Sequence, residues 1–293
     1  MAVALTGLGC ASPPHSTRVP APGAGAPLAT WVWDEGTVLS PERQQRLLAF
    51  GRAKGVRTIY LHASASYESE AGFDSLVFLL SAAREQGVGI TLVAGDPAWI
   101  HPERRSAALA LIERTQRLNA RLSRQNLALN GQVLYDVEPY LLPEWRSSPE
   151  QAARDYLALL DAVHAAGRAA SLEVWQTIPF WFGEQFAAGE SLERQALRHA
   201  DGAVVMAYRN HASNVAALAR PVLEDAGSLD KPVIVAVETA CVEPSYVSFC
   251  GTSAPVFARD LQDIHRALRA FPAFAGLAVH QQATWQALVD EAE

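Results

Sequence analysis

Short apolar runs alternate with longer stretches of helical periodicity through most of this chain. The first run, residues 28–34 (LATWVWD), precedes a helical segment over 41–54, with Ser40 placed to cap it and Gly55 to end it. The same alternation predicts strands over 57–64, 89–94, 133–140, 169–175, 203–208, 232–238 and 274–280. Between and after them it predicts helices over 73–86, 102–124, 149–166, 191–199, 215–226, 254–270 and 284–292, with Gly87 and Gly167 as stops. The strands are almost continuously apolar, which is the pattern of a parallel sheet covered by helices on its outer side. Eight such units close naturally into a single (β/α)8 barrel, the α/β TIM barrel, which typically needs about 250 residues. A doubly wound open sheet is the competing arrangement, but no glycine-rich phosphate loop follows the first strand.

The barrel so defined occupies residues 28–293, and residues 1–27 differ in kind. Residues 1–10 are apolar and end in Cys10, and the stretch to Pro27 is rich in Ala, Pro, Gly and Ser, the composition of a tether. This resembles the end of a bacterial lipoprotein signal. The resemblance implies export, with Cys10 carrying lipid and the membrane touched only through that anchor. Cys241 and Cys250 then remain as an even pair in one loop. In an oxidising compartment they would form a disulfide worth about 2–3 kcal/mol, and in the cytosol they would be reduced thiols. The net charge of −7 and the absence of a Lys/Arg cluster make nucleic acid and anionic membrane poor partners.

In a barrel of this type functional groups sit at the C-terminal ends of the strands and in the loops after them. In chain order those positions hold Asp34; Asp96 with Trp99; Asp136, Glu138 and Tyr140; Trp175 and Trp181; Tyr208 and Arg209; Glu238; and His280 with Trp285. Carboxylates and aromatics dominate. Side chains alternate along a strand, so Leu134, Asp136 and Glu138 share one face. Two carboxyls on one face beyond an apolar strand are costly unless solvated, paired or used. Indole and phenol rings stack on sugars, carboxylates hydrogen-bond hydroxyls, and paired carboxyls cleave glycosidic bonds. The expected partner is therefore a polysaccharide or oligosaccharide. No HxH, HExxH or CxxC spacing points to a metal, no cofactor is expected, and no Gly-x-Ser-x-Gly elbow is present.

Glu138-Pro139 after the fourth strand and Glu238 after the seventh resemble the clan A glycoside hydrolases. That resemblance implies Glu138 as acid/base and Glu238 as nucleophile, with net retention. The spacing Asp136-x-Glu138, with Met206-Ala-Tyr208 on the sixth strand and Trp285 after the eighth, is similar to chitinase-type barrels. There the Glu is the acid, the Asp assists, the substrate's acetamido group is the nucleophile and the Tyr helps to hold it. The wider pattern (GDPAW, DVEPYLLPEW, MAYRN, VHQQATW) resembles a family of bacterial exported barrels. A carbohydrate-binding lipoprotein without catalysis is the reading from a different class. Asp34, Asp96, Trp99, Tyr140, Trp175, Trp181, Tyr208, Arg209, His280 and Trp285 are the candidate substrate-binding residues under all of these readings.

Overall fold

The computed structural model describes residues 27–290. Eight parallel strands form a closed barrel: β1 (Leu28–Val32), β2 (Val56–His62), β3 (Gly89–Ala94), β4 (Gln132–Tyr135), β5 (Glu173–Pro179), β6 (Gly202–Met206), β7 (Val233–Glu238) and β8 (Phe274–His280). Neighbours in space are neighbours in sequence, and pairing of β1 with β8, Leu28 opposite Leu277, closes the ring. This is a single (β/α)8 TIM barrel. The segment containing Cys10 lies outside the described residues.

Helices α1 (Glu35–Leu39), α2 (Pro41–Lys54), α3 (Glu70–Glu85), α4 (Arg105–Leu122), α5 (Glu144–Ser147), α6 (Pro149–Ala170), α7 (Leu192–Arg198), α8 (Ala212–Ser228), α9 (Ala254–Leu268) and α10 (Gln282–Asp290) surround the strands. Local chemistry sets their ends. The Ser40 hydroxyl accepts from the Arg43 amide at the start of α2, and Gly55 closes that helix.

Apolar side chains fall into two layers. Strand residues such as Val133, Tyr135, Val174, Ile178 and Val205 point outward and pack under the helices. Ala29, Trp31, Tyr60, Val93, Leu134, Trp175, Val204, Ala236 and Ala278 point inward and fill the barrel. Trp31 and Tyr60 lie 4.9 Å apart between ring centroids, so bulky aromatics occupy the interior and the barrel is a packed core rather than a channel.

Two segments depart from the pattern-based expectation: β4 stops at Tyr135 instead of running to Tyr140, which leaves Asp136 and Glu138 in the loop after it, and the α6–β5 junction is displaced. Gly167 does not end α6, which continues to Ala170 and is capped by Ser171 in the left-handed region at φ 56°. A Cβ on Gly167 would stand 2.3 Å from Cγ2 of Val174, so the glycine serves the close approach of α6 to β5. Strand β5 consequently starts at Glu173 and runs to Pro179, about four residues later than expected.

Candidate active site at the C-terminal mouth

Asp136 and Glu138 follow β4 directly and lie at the C-terminal mouth. The loop after β3 lies against them: the Asp136 amide donates to the Ala94 carbonyl at 3.0 Å, and a Cβ on Gly95 would meet the Asp136 carbonyl oxygen at 1.7 Å. Only glycine lets these two strand ends come so close. Thr177, which points inward from β5, donates its hydroxyl to the Asp136 carboxylate and also reaches the Tyr135 carbonyl, at 3.2 Å. Burial holds the Asp136 carboxyl above the ordinary carboxylate range, and the Thr177 hydrogen bond only partly offsets it. The Tyr140 hydroxyl donates to Glu138. Burial likewise raises the Glu138 carboxyl, with the Asp136 charge adding to the rise and Tyr140 opposing it.

Glu238 ends β7 on the opposite side of the same mouth, with its side chain buried. One carboxylate oxygen accepts from the backbone amides of Thr239, at 2.8 Å, and Ala240, at 2.7 Å. The other lies 2.8 Å from Nδ1 of His280, its register partner on β8. The Trp33 indole donates to Nε2 of His280 at 3.0 Å. An indole N–H can only donate, so Nε2 is the acceptor and Nδ1 carries the proton that faces Glu238. Trp33, His280 and Glu238 thus form one directed chain, and each Glu238 oxygen accepts at least one hydrogen bond. The peptide bond after His280 is cis.

Tyr208 bridges the two halves of the mouth. Its ring centroid lies 6.4 Å from that of His280. Its hydroxyl is pushed well above the usual phenol range, first by burial and then by the charges of Glu238, Asp136 and Glu138. The residue after it, Arg209, lies over the rings of Phe180, at 5.0 Å, and Tyr246, at 5.2 Å. An aromatic wall stands beside Glu138. Tyr140 meets Trp181 edge-on at 5.1 Å, and Trp145 stacks on Phe182 at 5.7 Å. Cys241 and Cys250 are joined by a disulfide, with Cα atoms 5.0 Å apart, in the loop that carries Tyr246.

The mouth therefore gathers Asp136, Glu138, Tyr140, Trp181, Tyr208, Arg209, Glu238 and His280. Other expected binding residues lie elsewhere. Trp175 sits inside the barrel one inward position below Thr177, with its indole donating to Glu173 at 3.1 Å, because the longer α6 shifts β5 relative to its expected frame. Trp285 is 2% exposed and packs edge-on against Phe50, with ring centroids 5.0 Å apart, in the layer between strands and helices. Neither reaches a cleft. Trp99 lies against Tyr135, an outward-facing residue, with centroids 6.3 Å apart. Asp34 and Asp96 are helix caps: Asp34 accepts from the Gly36 amide and pairs with Arg43, and Asp96 accepts from the Ala98 amide. Thr177, Trp33, Trp145 and Phe182 are site residues that pattern reading passes over. Strand alternation alone would have brought in Trp33, because it shares the inward face with Ala29 and Trp31.

Among the described residues no cluster of three or more side chains is arranged to hold a metal ion. No helix among them is long and apolar enough to cross a membrane.

No protein-family model and no curated protein matches the sequence. The fold is similar to that of several solved structures. A GH18 chitinase from Pseudoalteromonas aurantia superposes with a TM-score of 0.55 at 11% identity, over 92% of this chain and 100% of that one. The PgaB (BpsB) glycoside hydrolase domain from Bordetella bronchiseptica gives 0.53 at 13% identity, over 92% and 97%. A monomeric beta-xylosidase from Caulobacter crescentus CB15 gives 0.58 at 14% identity, over 87% and 61%. At such identities the likeness is one of fold.

Proposed function

We propose that this protein is a glycoside hydrolase that cleaves a 2-acetamido sugar linkage with help from the substrate. Glu138 is the general acid, Asp136 its assisting carboxyl, and Tyr208 a positioning hydroxyl for the acetamido group. The observation that carries this reading is the Asp136–Glu138 pair in the loop at the mouth, close enough for the Asp136 charge to act on Glu138, with both carboxyls raised by burial and Asp136 tied to Thr177. A raised carboxyl holds its proton to higher pH than an ordinary one, which favours giving it to a leaving oxygen.

In this mechanism Glu138 gives its proton to the glycosidic oxygen as the C1–O bond breaks. The acetamido carbonyl oxygen bonds to C1, and Asp136 supports the positive charge on the nitrogen. Glu138, now a carboxylate, takes a proton from the water that opens the ring, which restores the starting state. The other assignment makes Glu238 a nucleophile. It fits less well, because both Glu238 oxygens already accept hydrogen bonds from Thr239, Ala240 and His280. Glu238 here holds the β7 and β8 ends and Trp33 in register. The disulfide in the Tyr246 loop supports export, and we place the activity outside the cytoplasm with Cys10 as the lipid-bearing residue.

The test is turnover of N-acetylated oligosaccharides by the wild type and Glu138→Gln. Loss of about 10²–10⁴-fold with glycan affinity retained is expected. A thiazoline analogue of the bicyclic intermediate should inhibit. A 2-fluoro glycoside that labels Glu238 covalently, seen by peptide mass spectrometry, would return the nucleophile role to that residue. Glycan binding without turnover in the wild type would make the barrel a lectin-like module.

A further inference from the structure

Arg209 follows Tyr208 and is unlike the other charged groups at the mouth. It is half-buried, and among the described residues its guanidinium contacts are the Tyr208 carbonyl, at 2.7 Å, and the faces of Phe180 and Tyr246. No carboxylate pairs with it among those residues. Phe180 lies in the loop after β5 and Tyr246 in the disulfide-closed loop after β7, so rings from both neighbouring loops fix the guanidinium over β6. A cation–π contact with the ring faces does not by itself consume the N–H donors of a guanidinium. One of the five donors goes to Tyr208, and among the described residues the rest have no hydrogen-bond partner. Tyr246 is 54% exposed, so this edge of the mouth is open to an incoming chain.

A fixed cation of this kind, in a protein of net charge −7 whose other mouth groups are acids or neutral rings, suits a planar anion. We propose that Arg209 forms an anion subsite and that the saccharide bound here carries a carboxylate next to the acetamido sugar held at Tyr208. The inference rests on the glycoside hydrolase reading of the same mouth. It adds the charge of the substrate, which catalysis by Asp136 and Glu138 does not specify.

Binding is measured by calorimetry with Glu138→Gln protein, which holds the sugar without turnover. The probes are an alternating N-acetylhexosamine–hexuronate oligosaccharide, its carboxyl-reduced neutral counterpart, and an N-acetylhexosamine oligomer bearing a lactyl-ether carboxylate. One of the two anionic probes should bind about 10- to 100-fold more tightly than the neutral one, and the difference should shrink as salt is raised. Which of them does so tells a ring carboxylate from an ether-linked one. Arg209→Gln in the same background should collapse the difference, and Arg209→Lys should keep part of it. Equal affinity for anionic and neutral probes overturns the anion subsite while leaving the hydrolase reading intact. A preference that survives Arg209→Gln also overturns it, and a lower melting temperature in that variant would make Arg209 a clamp between loops. Absence of binding to every saccharide overturns both readings.

Discussion

Asp136 and Glu138 could be picked out before any coordinates, because strand alternation puts them on one face and two carboxyls there need a reason. What alternation could not reveal is their partners. The apolar run at 169–175 leaves Thr177 outside the strand, whereas β5 extends to Pro179 and aims Thr177 at Asp136. The Trp33–His280–Glu238 chain joins residues up to 247 positions apart, and no local pattern encodes it. The electrostatics of the pair yield a prediction at this scale. Burial is the main cause of the raised Glu138 carboxyl and the like charge of Asp136 adds to it, so Asp136→Asn lets Glu138 lose its proton at somewhat lower pH. The alkaline limb of the kcat/KM profile should therefore move toward acid, with kcat down by about 10²-fold. An alkaline limb that stays in place would mean that the two carboxyls do not share a titration.

At the scale of elements, β3 and β8 stand where apolar runs placed them, while the α6–β5 junction does not. Glycine after a helical run usually marks an end, and Gly167 carried that signal. Its actual reason is packing: Val174 of β5 leaves no room for a Cβ. The error moved Trp175 from the interior to an imagined mouth, and it hid Thr177. Replacing Gly167 by Ala sets two effects against each other. Helix propensity favours alanine by about 1 kcal/mol, and overpacking against a stiff β-branched side chain costs about 1–3 kcal/mol. The nearest backbone atom, the Leu172 carbonyl oxygen, would also lie only 3.0 Å away. Packing should win, so Gly167→Ala should lower the urea midpoint by an amount equivalent to about 1 kcal/mol with the slope unchanged. A higher midpoint would show that α6 and β5 separate readily.

At the scale of the molecule, eight repeats of strand and helix made the barrel legible, since near-continuous apolar strands have few other ways to close. The repeat says nothing about charges trapped between the helices. Glu193 of α7 is 1% exposed and lies 3.3 Å from where a Cβ on Gly183 would stand, beneath the loop that carries Trp181. Burial, followed by the Asp225 carboxylate of α8, pushes its carboxyl from an ordinary 4.5 up to about 8. Asp225 is in turn held by Arg194 at 2.6 Å. With the folded value raised, the native state keeps a proton that the unfolded chain releases above about pH 4.5. Stability should accordingly fall as pH rises from about 4.5 to 8. The amount attributable to this one group is at most about 5 kcal/mol, and it disappears when the carboxyl is replaced by an uncharged isostere. Thermal unfolding followed from about pH 3.5 to 8 should show a steeper decline in the wild type than in Glu193→Gln, with the two converging below about pH 4.5, where Glu193 is protonated in both states. Parallel curves would mean that Glu193 is ionised in the folded protein. Its neighbours, with Arg194 foremost, would then supply the compensation now assigned to a proton.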